Sequence, residues 1–178
     1  MNKIKKYPKS VIILHWLTVV LLAIEFFVGF TMEDYEFNAE NFNRYRVHAL
    51  LGMFIMIITI FRIINKKKHE KNNNLPDEIQ YYGNGHKTLV KTVEKLMCLL
   101  LILAPISGFI MVYQTGALQY DLGGAFPEGA KFDETMELIH KILVFLLGGL
   151  IILHIGGVIL YKIKTGKNLL KRICLLIK

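Results

Sequence analysis

Four long apolar runs constrain this chain more than any other feature: residues 11–32, 47–65, about 93–113 and about 138–162. Each is close to the roughly 20 apolar residues a helix needs to cross a hydrocarbon core. Lipid offers the peptide group nothing to hydrogen-bond, so such a run spans as a helix or not at all. The expected fold is therefore all-α, an integral membrane antiparallel four-helix bundle, and 178 residues suit a single domain. A hydrophobic fraction of 53 % and a mean hydropathy of +0.41 agree, being too apolar for an ordinary soluble domain. Lys3, Lys5 and Lys6 ahead of the first run resemble a signal peptide. That run is too long for an h-region, however, and no small-x-small cleavage site follows it.

The formal net charge is +8. The basic residues flank the apolar runs instead of forming one stripe, which argues for membrane topology and against nucleic acid. Eighteen of the 22 lysines and arginines fall in the N-terminal tail, in the connection from Arg62 to Lys95, or in the tail from Lys162. The opposite side holds Arg44, Arg46, Lys131 and Lys141 among nine carboxylates, including Glu33, Glu40, Asp121 and Glu137. The positive-inside rule then puts both termini in the cytoplasm. The stretch KKKHEKNNNLPDEIQYYGNGHK, punctuated by Pro76, Gly83 and Gly85, is expected to be a cytoplasmic loop, with His69 and His86 in it. QTGALQYDLGGAFPEGAKFDE is expected to be a Gly-rich, partly acidic outer loop. Cys98 and Cys174 are far apart, so the chain predicts no disulfide framework, no zinc site and no CxxCH haem attachment.

The remaining four histidines fall inside spans. His15 begins the first and His48 the second, while His140 begins the fourth and His154 lies about two turns from its end. His140 and His154 are fourteen residues apart, about 21 Å along a helix and within about 40° of one face. One helix thus offers an imidazole near each membrane surface. His15 matches the inner one and His48 the outer one, giving two stacked pairs, His15 with His154 and His48 with His140. Ionisable groups in spans are costly and tend to be functional. A path for transported Zn²⁺ would want carboxylates or thiols at the same depths, and no such cluster is evident. Bis-histidine ligation of two b-type haems fits better, because haem needs axial ligands from opposite helices in an otherwise apolar pocket. Gly29, Gly52, Gly148, Gly149, Gly156 and Gly157 lie near the histidines. They allow either close helix approach or room for a flat macrocycle.

On these residues the chain resembles the bacterial cytochrome b561 family of membrane dihaem b-type cytochromes. LHWL opens the first helix as it does in relatives. HALLGMFIMIITIFRIINK, LILAPISGFIM and HKILVFLLGGLIILHIGGVILYKIKTGKNLLKRI resemble the second, third and fourth helices. The resemblance implies that His15 and His154 hold the cytoplasmic-side haem iron, and that His48 and His140 hold the outer one. It implies residence in the bacterial inner membrane, contact with lipid, and electron transfer between quinone and a second partner on the periplasmic side. That partner could be an electron-transfer protein or superoxide, since one relative is similar to a superoxide oxidase. Two other readings remain open: a haem b subunit anchoring a larger complex such as a hydrogenase or formate dehydrogenase, or a non-haem bundle or His-lined metal transporter.

Arg44, Arg46 and Lys141 flank the outer histidines, and Arg62 and Lys162 the inner ones. They suit either haem propionates or lipid headgroups. Trp16, Tyr113 and Tyr161 read as interface anchors. Glu25, mid-span in the first helix, is either a neutral buried acid or a proton stop. Glu94 stands where many relatives have a histidine, and Tyr161 and Lys162 where relatives often have a histidine pair.

Overall fold

The computed structural model describes residues 5–76 and 84–174. Lys3 and Gly83 lie outside these. The described residues form five α-helices and a short 3-10 turn, with no strand among them. They are α1 (Lys9–Met32), α2 (Phe42–Lys71), α3 (Asn84–Gln114), the four-residue α4 (Leu118–Asp121), α5 (Glu134–Thr165) and the turn Leu169–Arg172. Among the described residues, four helices are long and apolar enough to cross a membrane: α1, α2, α3 and α5. Only 6 to 28 % of their most apolar windows is buried within the protein. Phe27, Phe145, Ile152 and Ile163 are among the many large apolar side chains that point outward. Water would not tolerate this much exposed hydrocarbon, but lipid does, and the chain is a multi-pass membrane protein.

Three helices run past the apolar runs into polar flanks. α2 continues through KKKHEK to Lys71, and α3 begins at Asn84, so His69, Gly85 and His86 are helical, not loop residues as expected. Counting apolar residues finds the hydrocarbon thickness, while a helix ends where its backbone is capped. α5 shows this well. Asp133 caps its N-terminus, accepting from the Met136 amide at 3.0 Å, and Glu134 and Glu137 sit in the first turn. Lys162 and Lys164 occupy the last turn, and Gly166 closes it at φ 68°, a left-handed conformation suited to glycine.

α1 packs on α2, α2 on α3 and α3 on α5. Contacts between the start of one helix and the end of the next fix the antiparallel order: Arg62 meets His15, Lys66 meets Glu94 and Lys141 meets Glu33. Both termini therefore share one end of the bundle. There the chain ends are tied together: the Tyr7 amide donates to the Arg172 carbonyl, Lys6 to that of Cys174, and Trp16 Nε1 to that of Ile173 at 2.8 Å. Trp16, expected to be an interface anchor, is thus also a clamp on the C-terminal tail.

At the far end the loops fold into a cap. Phe37 touches Phe42, Tyr45, Phe126 and Phe132, and Tyr45 donates from its hydroxyl to the Tyr35 carbonyl. Midway between the ends, Ile55, Leu100, Leu101 and Leu147 form an apolar layer with Leu21, Leu22 and Phe26 against it. Hydroxyls within the helices are satisfied locally, as when Thr18 and Thr59 donate to the carbonyls four residues back.

Leu147 is 4 % exposed at the centre of this layer. Leu147→Ala should therefore destabilise the detergent-solubilised bundle by roughly 2 kcal/mol or more, read as an earlier unfolding midpoint on titration with SDS.

Candidate cofactor-binding site

The site is built from polar atoms that the helices bring together at two depths. At the far end all four spanning helices contribute. His48, one and a half turns into α2, faces His140 from the second turn of α5, with ring centroids 6.2 Å apart and planes at 85°. Each ring has an acceptor group close to its Nδ1. The His140 Nδ1 lies 3.1 Å from the Ala104 carbonyl and 2.9 Å from Ser107 Oγ. Ser107 itself donates to the Ala104 carbonyl at 2.8 Å, so the two groups form one acceptor site for a proton on Nδ1. Pro105, inside α3, lies between them.

The His48 Nδ1 lies 3.0 Å from Glu25 Oε1, close enough for an ion pair but without the alignment of a hydrogen bond. Glu25 Oε2 is buried and has no hydrogen-bond partner. In neutral histidine only one ring nitrogen carries a proton. A proton on Nδ1 leaves the Nε2 lone pair of both rings available.

Glycines seat these side chains. A Cβ at Gly29 would come within 3.2 Å of the His48 ring, and one at Gly108 within 3.2 Å of the His140 ring. A Cβ at Gly52 would meet Glu25 Oε1 at 3.0 Å. Gly29 and Gly52, expected to favour helix approach or a macrocycle, thus give room to an imidazole and a carboxylate. A Cβ at Gly149, Gly156 or Gly157 would meet nothing within 4 Å.

At the terminal end stand His15 on α1 and His154 on α5. An Arg62 guanidinium nitrogen approaches His15 Nδ1 at 3.3 Å, and Trp16 stands edge-on to the same ring. Glu94 pairs with Lys66 at 3.3 Å, both half exposed. Tyr161 is buried and Lys162 exposed.

The other expected cations have partners within the chain. Arg46 pairs with Asp121 at 3.0 Å and also donates to Asn43. Lys141 pairs with Glu33 at 3.3 Å and Glu137 at 2.9 Å. The Arg44 guanidinium lies 3.8 Å over the Tyr35 ring. Sequence reasoning missed Ala104 and Ser107, and the place of Gly108 beside the His140 ring. A carbonyl carries no sequence signal, though the APISG stretch did stand out within the third apolar run. Glu25 was noticed, but its place beside His48 was not.

No curated protein and no solved structure matches the chain. The family model for prokaryotic cytochrome b561 matches residues 6–174, nearly the whole length. Its coverage takes in all four spanning helices and both histidine layers, and it agrees with the helical fold. On that match the chain, a multi-pass haem b electron-transfer protein, belongs to the prokaryotic cytochrome b561 family.

Proposed function

We propose that the chain holds two b haems, one between His48 and His140 and one between His15 and His154, and passes electrons between a far-end donor and the membrane quinone pool. The far-end pair is the observation that carries this reading. The two rings come from different helices with centroids 6.2 Å apart, and would hold one haem iron between them. Both turn Nδ1 toward acceptors, the arrangement that orients Nε2 to a metal. Haem supplies a one-electron iron centre, and the protein supplies position and electrostatics.

The terminal-end residues suit the same role with one exchange. Arg62 can only donate, so His15 Nδ1 accepts in the contact described above. Iron binding at His15 Nε2 needs the proton on Nδ1, so that ligation and the Arg62 contact are alternatives. With a haem held at His15, the Arg62 guanidinium would be available for a propionate, which its planar charge suits. Fourteen residues of α5 separate the layers by about 21 Å, enough to divide the hydrocarbon thickness between two centres. The asymmetry of basic residues supports placing the termini in the cytoplasm and the far end in the periplasm.

The donor we favour is a periplasmic protein or small reductant. Superoxide would need a positive funnel, and Arg46 and Lys141 are paired with carboxylates while Arg44 is stacked on Tyr35.

The purified chain should show a Soret band and a reduced α-band of b type, with two haems per chain. His48→Ala or His140→Ala should leave one haem and His15→Ala should leave the other; two haems persisting in either case would refute the pairing. A quinol analogue should reduce the centres within the time of a stopped-flow trace, whereas superoxide at low salt should do so no faster than its own decay. A folded, colourless protein would end the dihaem reading. Gly108→Ala should disturb the far-end centre alone, seen as a changed low-spin ferric EPR signal, because its Cβ presses on the His140 ring.

A further inference from the structure

We propose that Glu25 is a positioning residue for the far-end haem: its carboxylate accepts the Nδ1 proton of His48 and makes that ring a more electron-rich ligand than His140. This rests on the dihaem reading given above.

The argument starts from an energetic cost. A carboxylate within a span is expensive and persists where something uses it. Glu25 lies mid-helix in α1, its side chain only 14 % exposed. Among the described residues neither Glu25 Oε2 nor His48 Nδ1 has a hydrogen-bond partner, yet His48 Nδ1 is 3.0 Å from Oε1. A reorientation that turns the Nδ1–H onto Oε2 satisfies both atoms. Gly52 leaves the carboxylate room, since a Cβ there would stand 3.0 Å from Oε1. Gly29 does the same for the His48 ring. Two glycines on two helices thus leave room for one carboxylate beside one imidazole.

The opposite ring is held differently. His140 faces the Ala104 carbonyl and the Ser107 hydroxyl, both neutral. A carboxylate behind a metal-bound imidazole raises its basicity more than a neutral acceptor does. Greater electron donation stabilises the ferric over the ferrous state, so the far-end iron is held at a lower potential than a bis-neutral pair would give it. Among the described residues no carboxylate lies against the His15 Nδ1 as Glu25 lies against His48; that atom faces Arg62. An acid directly behind a ligand ring therefore distinguishes the far-end centre.

The test is Glu25→Gln in the full chain, purified in detergent, with haem content and a spectroelectrochemical titration at one pH. His48→Ala identifies which spectral component belongs to the far end. Glu25→Gln should keep two haems and raise the far-end midpoint by a tenfold or larger change in the reduction equilibrium, about 59 mV for one electron, leaving the other centre unmoved. Glu25→Asp, which retains the charge, should bring the potential back toward the native value. If Glu25→Gln fails to fold, Gly52→Ala, which displaces the carboxylate, should shift the same component in the same direction. Far-end potentials unchanged within a factor of two in the equilibrium, or both centres shifting equally, would overturn the proposal. Loss of no haem in His48→Ala would instead refute the ligand pairing on which it stands.

Discussion

A peptide group in hydrocarbon has no water to bond, and this constraint organises the whole protein. It makes each apolar run a helix, and it leaves the helices free to be apolar on every side. Lipid then takes the outward surface, so hydrophobic burial does little to decide which face of a helix turns inward. Shape and the few polar atoms must decide it. Leu147, Ile55, Leu100 and Leu101 fill the middle of the bundle. Above and below that layer, imidazoles, a carboxylate, a guanidinium and a carbonyl find one another, because nothing else at those depths can satisfy them.

The two polar layers are not copies. The far-end layer is tight: paired rings, Nδ1 atoms backed by acceptors, and glycines where a methyl group would collide. In the terminal-end layer Arg62 faces the one nitrogen that would have to be protonated in a bound histidine. The two layers thus present different chemistry to anything bound between their histidines. The far-end cap adds to the difference. Its ion pairs neutralise Arg46 and Lys141, and an aromatic cluster ties its loops together.

Much of this was legible from the residues. The four spans, their antiparallel order, the histidine depths and the family resemblance all came from local pattern, because span length and axial rise depend only on how many residues there are. The extension of α2 to Lys71 and the start of α3 at Asn84 did not, because hydropathy marks the edge of lipid and not the end of a helix. The partners of Arg46 and Lys141 were likewise out of reach. Asp121 is 75 residues from Arg46, and Glu33 lies across the bundle from Lys141. Only the folding of the loops brings them near.

The amino-acid order by itself determined that the chain crosses the membrane four times and carries an imidazole near each surface on α5, matched on α1 and α2. Tertiary structure alone decided what stands behind each ring: Glu25 for His48, Ala104 and Ser107 for His140, Arg62 for His15. The reason is rotational. A helix apolar all round has no amphipathic stripe from which its inward face can be read. Which side chains meet depends on how each helix turns about its axis, and that is settled only when the neighbouring helices pack.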